Sequence, residues 1–210
     1  MEDKYQETFE TWNKVAPLYE ERFMQLDLYN DTYDIFCGLW SKPRARVLEI
    51  GCGPGNITRY VKNNNPNSHI TAIDVSKNMV KLAKKNIPEV DFRIMDCRNL
   101  RDIGNSFDAI ICGFTIPYLS KPDCSKLISD CKELMNKEAV LYLSFVPGDY
   151  DRSGYITGSS GDRTYFYYHD PKAIVKELDK NFFSVIHNIE KEYPKSDGST
   201  ERHTIIIAKK

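Results

Sequence analysis

Short runs of β-branched and apolar residues alternate along this chain with amphipathic stretches of helical length. Five runs predict strands at residues 46–50, 69–74, 90–95, 107–112 and 140–145, and three stretches predict helices at 57–64, 77–86 and 123–134. Strands that are apolar on both faces and joined through helices form a parallel sheet with right-handed crossovers. The chain is therefore predicted to have an α/β fold, with a doubly wound sheet and helices on both faces.

The pattern changes after residue 145. A polar stretch rich in glycine and serine, 147–163, leads to an aromatic run that ends at His169, and a helix follows with Asp170 as its cap. Two further apolar runs, 182–189 and 203–208, flank turn residues in the arrangement typical of a hairpin. We predict that this C-terminal hairpin adds one antiparallel strand to the mostly parallel sheet.

The charge balance argues against some classes of partner. The chain has 29 Lys and Arg against 30 Asp and Glu, so no excess positive field attracts nucleic acid or anionic lipid. No apolar run approaches the roughly 20 residues of a membrane span, and the first residues lack the apolar stretch of a signal peptide. We expect a cytoplasmic protein without a membrane partner, and a nucleic acid partner is disfavoured. Its oligomeric state is not predicted.

The six cysteines show no C-x-x-C pair and no neighbouring histidines at metal-ligand spacing. Several lie in apolar segments, where a thiol behaves as a small hydrophobic group. We therefore predict reduced, structural cysteines and no metal site.

The segment 47–56, VLEIGCGPGN, runs from an apolar strand through a glycine-dense turn into a helix. Glycine lets the backbone adopt positive φ and lets a ligand approach closely. Dinucleotide sites use a similar turn, G-x-G-x-x-G, but Asn56 stands where that pattern has its third glycine. Glu49 lies just before the turn, where it would repel a pyrophosphate and attract a cationic amino group. The turn thus favours a positively charged ligand over a dinucleotide.

Two more carboxylates follow at the ends of the next predicted strands. Asp74 ends the second strand, where a carboxylate can accept hydrogen bonds from both hydroxyls of a ribose. Asp96 follows the third strand and can accept from the exocyclic amine of an adenine, while a neighbouring backbone N–H meets a ring nitrogen. Together with Glu49 they indicate a site for an adenosyl group carrying an amino acid.

These motifs resemble those of the class I S-adenosylmethionine-dependent methyltransferases, in particular their small-molecule and broad-specificity branch. The resemblance rests on VLEIGCGPGN, AIDVS, IMDCRNL, FDAIICGFTIPYLS and LYLSF, and it extends through YYHDPKAIVKEL to the terminal IIIAKK. It implies a Rossmann-like fold and S-adenosylmethionine as cofactor. It also implies a single domain over residues 1–210, with a helical arm covering the cleft (1–44), a cofactor-binding core (45–146), an acceptor-site insertion (147–169) and a C-terminal helix and hairpin (170–210). The aromatic residues of the arm could equally serve only to dock helices on the sheet.

The resemblance also assigns roles to individual residues. It implies contacts to the methionine part at the glycine turn, to the ribose at Asp74, to the adenine at Asp96 and Cys97, and to the sulfonium region after the fourth strand. The arm segment WNKVAPLYEERF adds Tyr19, which often reaches the cofactor in that family. The predicted cofactor-binding set is Tyr19, Glu49, Gly51, Cys52, Gly53, Asp74, Val75, Asp96, Cys97, Cys112 and Phe114.

Methyl transfer from a sulfonium is an in-line displacement with an activated leaving group, so alignment in a dry pocket is the main requirement. An acceptor that must lose a proton also needs a base. The candidate catalytic residues are His169 and Tyr118, with Tyr167 and then Asp149 behind them. His169 directly precedes a helix cap and is more often structural in such a place, while Tyr118 stands where the family frequently has a histidine.

The sequence leaves several functions open. A methyltransferase acting on a small molecule is the leading prediction, because the segment that would cover the acceptor is short and aromatic. Methylation of RNA or protein is an alternative, although residues 113–116 read GFTI and not the Asn-Pro-Pro-Tyr of enzymes that methylate nucleobase amines. A sensor that binds the cofactor or its demethylated product without catalysis is a third interpretation. A dinucleotide oxidoreductase is the most distant one.

Overall fold

The computed structural model describes residues 4–40, 42–158, 160–195 and 197–210. The helices in this part of the chain are α1 (Lys4–Phe23), α2 (Asn30–Gly38), α3 (Asn56–Asn64), α4 (Lys77–Asn86), α5 (Lys121–Leu134) and α6 (Pro171–Lys180). The strands are β1 (Arg46–Ile50), β2 (His69–Asp74), β3 (Asp91–Ile94), β4 (Phe107–Gly113), β5 (Met135–Phe145), β6 (Gly154–Thr157), β7 (Arg163–Phe166), β8 (Ser184–Pro194) and β9 (Thr200–Lys209). Among the helices so described, none is both long enough and apolar enough to cross a membrane.

Seven strands form one sheet in the order β3-β2-β1-β4-β5-β9-β8. The pairs among β1 to β5 are parallel, whereas β9 runs antiparallel to both β5 and β8. From β1 the chain adds β2 and β3 toward one edge of the sheet, and it then returns past β1 to add β4 and β5 toward the other edge. This reversal beside β1 is typical of a doubly wound sheet. The predicted Rossmann-like α/β fold with an antiparallel C-terminal hairpin strand is confirmed.

The sheet carries an apolar cluster on each face because its strands alternate their side chains between the two sides. In β1, Val47 belongs to the cluster beneath α2, α3 and α4, and Leu48 to the cluster beneath α5 and α6; neither is exposed. Fully burying one such side chain contributes about 1.5–3 kcal/mol. These two clusters hold the carboxyl ends of the parallel strands together at one edge of the sheet.

Two local features differ from the sequence prediction. β5 begins at Met135, five residues before the predicted start, and its pairing with β4 is irregular there. Residues 136–138 are polar and partly or fully exposed, so no apolar alternation marks them as a strand. The polar stretch 147–163 carries no strand prediction, yet β6 lies within it and pairs with β7 as a separate antiparallel sheet of two strands. Their short, mixed sequences, GYIT and RTYF, give little periodic signal.

Candidate functional site

The glycine turn between β1 and α3 is shaped by a side chain from the loop after β4. Gly51 has φ = 72°, and a Cβ atom on it would lie 1.9 Å from Oγ1 of Thr115. The Thr115 hydroxyl donates to the carbonyl of Ile50 at 3.0 Å, and the amide of Gly51 donates to the carbonyl of Ile73 on β2 at 2.8 Å. The turn is thus fixed against both neighbouring strands. It requires glycine at position 51 for its backbone conformation and for space.

Asp74, at the end of β2, is tied to that turn. One carboxylate oxygen accepts from the amide of Gly53 at 2.9 Å, and the other accepts from the amide of Ser76 at 2.8 Å. Each oxygen of an ionised carboxylate can accept about two hydrogen bonds, so each keeps capacity for one more donor. Burial raises the pKa of Asp74, and the amides of Ser76 and Gly53 oppose that shift. The carboxylate lines the cavity and can therefore accept from a ligand with two adjacent hydroxyls.

Asp96 is held by a residue that the sequence analysis did not consider. The guanidinium of Arg98 forms a two-pronged ion pair with the carboxylate, the shortest N···O distance being 2.6 Å. The same guanidinium lies 4.0 Å from the centre of the Tyr5 ring on α1. A ligand amine that reaches Asp96 therefore has to share the carboxylate with Arg98. This pair also links the third strand end to α1.

Glu49 lies beneath the glycine turn and does not line the cleft. Its side chain is 1% exposed, and Oε2 accepts from the hydroxyl of Thr58 on α3. Within the described part of the chain, Oε1 has no hydrogen-bond partner. Burial raises the pKa of Glu49 to about 8, and the nearby Asp74 adds to the increase. The unpartnered oxygen keeps capacity to accept a hydrogen bond.

Helix α1 forms the roof of the cleft. Its residues Thr8, Phe9, Trp12 and Tyr19 line the cavity above the strand ends. The Trp12 ring meets Tyr19 and Tyr118 edge to face, at centroid distances of 5.6 and 5.3 Å. No partner for the buried indole N–H is found among the residues that the structure describes. The roof is thus largely aromatic, with one buried donor available.

The β6–β7 hairpin and the start of α4 fasten this roof on two sides. On the hairpin side, the amide of Tyr165 donates to Thr8 at 3.0 Å, and Lys14 forms an ion pair with Asp162 at 2.7 Å. On the other side, Asn13 accepts from the amide of Asn78 at 2.9 Å. Because α1 is attached at both margins, it encloses the space between the strand ends and the hairpin.

The floor of the cleft near the ends of β1 and β4 includes a strained residue. Phe114 has φ = 52°, which is uncommon for a residue with a side chain. Its amide donates to both the carbonyl and the hydroxyl of Ser144 on β5, each at 3.1 Å. Such strain is stable only when neighbouring contacts fix it, and here it turns the Phe114 ring toward the cleft.

The structure brings most of the predicted site residues into one cavity. The predicted residues that line it are Tyr19, Gly51, Gly53, Asp74, Val75, Asp96, Cys97, Phe114 and Tyr118. Cys52 and Cys112 are buried and do not line it. The lining also contains residues to which the sequence assigned no contact with the cofactor: Thr8, Ile73, Met79, Met95, Gly113, Thr115 and Leu119. Thr115 lies inside the fourth motif, FDAIICGFTIPYLS, but only the fold reveals its position against Gly51.

His169, a candidate catalytic residue, lies buried beside the loop after β4. The ring is 3% exposed, and Nε2 lies 3.0 Å from the carbonyl oxygen of Ile116 and 3.1 Å from that of Leu119. Burial lowers the pKa of His169. The residue therefore satisfies two carbonyls of the loop after β4, which is a structural role, and it does not line the cleft.

The two weaker candidates also lie elsewhere. Tyr167 is 7% exposed and packs its ring against Tyr165 at 4.7 Å, outside the cavity lining. Asp149 caps the short turn that follows it by accepting from the amide of Asp151. Tyr118 thus is the candidate that remains in the cleft, between Trp12 and the Phe166 ring of β7, which lies 5.8 Å away.

Comparison with known proteins agrees with this geometry. Residues 47–138 match the family model described as a methyltransferase domain. The chain contains a class I methyltransferase domain. The matched segment of this domain runs from β1 to within β5 and so includes the glycine turn, Asp74 and Asp96.

Two curated relatives match part of this methyltransferase domain. Malonyl-[acyl-carrier protein] O-methyltransferase of Bacillus cereus is 38% identical over 77 residues, which cover 36% of this chain and 28% of that protein. Demethylmenaquinone methyltransferase of Thermotoga maritima is 29% identical over 98 residues, covering 47% of this chain and 42% of that protein. The chain therefore spans less than half the length of these relatives.

A solved structure matches over the whole chain. The magnesium protoporphyrin IX methyltransferase from Synechocystis PCC 6803, solved with bound SAH, superposes with a TM-score of 0.74 and 20% sequence identity. The match covers 99% of this chain and 100% of that one. At this level of identity the likeness establishes the shared fold.

Proposed function

We propose that this domain transfers a methyl group from S-adenosylmethionine to a small-molecule acceptor. The observation that carries the proposal is Asp74, whose two oxygens accept from the amides of Gly53 and Ser76 and each keep capacity for a ligand hydroxyl. The functions of similar proteins agree, since malonyl-[acyl-carrier protein], demethylmenaquinone and magnesium protoporphyrin IX methyltransferases act on acceptors other than nucleic acid.

The residues present fit the cofactor. Asp74 suits the ribose hydroxyls, and Gly53 lets the ligand approach beside Tyr19, since a Cβ there would lie 3.5 Å from the Tyr19 ring. Glu49, beneath the glycine turn and outside the cavity lining, supports the turn that would hold the methionine part. Val75, Met79 and Cys97 supply apolar walls for an adenine. When bound, S-adenosylmethionine supplies an electrophilic methyl group on a sulfonium that is already a good leaving group.

The chain's own residues align the acceptor and exclude water. Phe114 and Tyr118 stand at the carboxyl end of β4, and Trp12 closes the space from above. Aromatic walls of this kind favour an acceptor with a flat, largely apolar body. Water that the roof and a bound acceptor exclude from this space no longer screens the electrostatic interactions inside it.

Calorimetry with S-adenosylmethionine, its demethylated product and NAD tests the choice of cofactor. We expect both adenosyl ligands to bind and NAD to bind far more weakly. Asp74→Asn should weaken adenosyl binding by about 1–3 kcal/mol, because a ribose hydroxyl loses its charged partner. Asp91→Asn is the matched control, because Asp91 lies on β3 with half of its side chain exposed to solvent.

Incubation of radiolabelled S-adenosylmethionine and the protein with a cell extract tests transfer. Label is expected in the small-molecule fraction. Label in RNA or protein would replace the proposed acceptor class, and binding without transfer to any fraction would favour a sensor. Preferential binding of NAD would refute the proposal as a whole.

A further inference from the structure

The end of the cleft beside β4 is enclosed by aromatic rings. Trp12 and Tyr19 come from α1, Phe114 and Tyr118 come from the loop after β4, and all four line the cavity. The Trp12 ring is nearly perpendicular to the rings of Tyr19 and Tyr118, at interplanar angles of 89° and 75°. The face of an aromatic ring carries negative potential and attracts cations. We call these four residues the aromatic box.

The charged residues that line the cleft are acidic. Among the lining residues that the structure describes, Asp74 and Asp96 are the charged ones, and none is a lysine, an arginine or a histidine. The guanidinium of Arg98 pairs with Asp96 and is not part of this lining. An acceptor with a carboxylate or a phosphate would therefore lose its hydration without gaining a cation as partner. The cleft suits an acceptor that is neutral or that becomes positively charged.

The aromatic box holds no group suited to removing a proton from an acceptor. Burial raises the pKa of both Tyr19 and Tyr118, so each phenol keeps its own proton near pH 7 and is a poor base. Asp74 and Asp96 stand at the ends of β2 and β3, which β1 separates from β4. His169 lies outside the cleft, with its ring against two carbonyls. An acceptor atom that carries a proton would have to lose it without help from the box.

A nucleophile that needs no deprotonation fits these three features. Resting on the proposed function, we propose that the acceptor is an aromatic nitrogen base, such as a pyridine or an aniline, and that the domain is an N-methyltransferase. Such a nitrogen carries no proton at pH 7, so its electron pair is free to attack the methyl group. A hydroxyl or an aliphatic ammonium would first have to lose a proton. The flat body of the base packs against the rings of the box, whose faces attract the positive charge that forms on it.

The transfer moves one positive charge from the cofactor to the acceptor. The electron pair of the acceptor nitrogen forms the bond to the methyl carbon, and the carbon–sulfur bond breaks with its electron pair left on sulfur. The positive charge thus leaves the sulfonium and appears on the nitrogen. A pyridine product keeps this charge, whereas an aniline that bears an N–H releases a proton to water after the transfer. Aromatic faces that attract a cation therefore favour the product side of the step.

Three bicyclic probes of nearly the same shape test this preference for charge. N-methylquinolinium is a cation, 1-methylnaphthalene is neutral and 1-naphthoate is an anion. Each probe is titrated by calorimetry into protein saturated with S-adenosylhomocysteine, which leaves the acceptor end of the cleft free. In wild type, the cation should bind at least about tenfold more tightly than the anion. The neutral probe measures the contribution of shape and apolar contact alone.

Substitutions of Tyr118 separate the effect of its ring from that of its hydroxyl. Tyr118→Leu removes an aromatic face and keeps an apolar side chain, so it should weaken the binding of N-methylquinolinium about tenfold more than that of 1-methylnaphthalene. Tyr118→Phe retains the ring and should retain the preference for the cation. Tyr60→Leu is the matched control, because Tyr60 lies on α3 and outside the cavity lining.

Calorimetry of S-adenosylhomocysteine and S-adenosylmethionine on each variant separates the two proposals. Unchanged S-adenosylhomocysteine binding together with a lost preference for the cation in Tyr118→Leu supports the inference. Wild-type protein that binds no probe, or that binds the anion as tightly as the cation, overturns the inference and leaves the proposed cofactor intact.

An equal effect of Tyr118→Leu on the cation and the neutral probe also overturns the inference. Weaker binding of S-adenosylmethionine alone does the same, because the aromatic box would then serve only the sulfonium. Failure of wild-type protein to bind S-adenosylhomocysteine overturns the proposed function and the inference with it. If Tyr118→Leu does not fold, Trp12→Leu and the order of the three probes in wild type decide the matter.

Discussion

Replacing Glu49 by glutamine should stabilise the fold near neutral pH. The carboxyl is 1% exposed, and burial raises its pKa from 4.5 to about 8. Folding therefore favours the protonated carboxyl. The free energy of unfolding falls as the pH rises from 4.5 to about 8, because over this range the unfolded chain is ionised at Glu49 and the folded protein is not. A shift of this size corresponds to a cost of about 3 kcal/mol at pH 7 and about 1 kcal/mol at pH 5. Glutamine retains the shape and can still meet Thr58, but it has no charge to desolvate.

Urea unfolding of Glu49→Gln and wild type at pH 5, 7 and 8 measures this difference. The free energy of unfolding of the variant should exceed that of wild type by an amount that grows with pH. Thr58→Val is a useful companion, since it removes the hydroxyl that donates to Oε2 and leaves the carboxyl in place. A stability difference that does not change with pH, or a variant less stable than wild type at pH 7, would refute the reasoning.

The same substitution should act in the opposite direction on ligand binding. If the unpartnered Oε1 is the group that meets the amino group of the cofactor, Glu49→Gln loses a charged hydrogen bond worth about 1.5–3 kcal/mol. The affinity of wild type for S-adenosylmethionine should also rise as Glu49 ionises around its folded-state pKa of about 8. Calorimetry over that pH range checks both expectations. Equal affinity in the two proteins would show that Glu49 supports the turn without contacting the ligand.

Three further perturbations have distinct readouts. Gly51→Ala should destabilise the fold by about 1–3 kcal/mol more than Gly161→Ala in thermal or urea unfolding, because both have positive φ but only the first meets a side chain. His169→Gln should lower the melting temperature without changing cofactor affinity. In wild type, the stability from its neutral ring should be complete above pH 6.5 and decline as the pH falls below that value, because burial lowers its folded-state pKa. Thr8→Val, which removes the acceptor for the amide of Tyr165, should accelerate cofactor dissociation in stopped-flow measurements; an unchanged rate would show that this bond does not hold the roof.

The sequence predicted the parallel core well because its strands are apolar and regularly spaced. Arg46–Ile50 and His69–Asp74 have the predicted bounds, and the glycine turn and Asp74 meet as expected. The sequence could not choose where tertiary contacts decide the role of a residue. It offers His169 both as a candidate base and as a structural residue beside a helix cap, and the contacts of its ring with two loop carbonyls favour the structural role.

Other parts of the site had no local pattern to reveal them. Arg98 covers Asp96 through a contact that depends on the turn after β3 and on the position of α1.

The β6–β7 hairpin lies outside the main-chain pairing of the large sheet. It forms its own sheet of two strands and reaches the cleft through the Phe166 ring and its bonds to α1. Substitutions and changes of length in this hairpin can therefore reshape one wall of the cleft. They need not move any strand of the large sheet, whose carboxyl ends form the nucleoside region. Evolution can vary acceptor choice in this segment while the platform formed by the glycine turn and Asp74 stays the same, and directed evolution of new acceptor preferences should begin there.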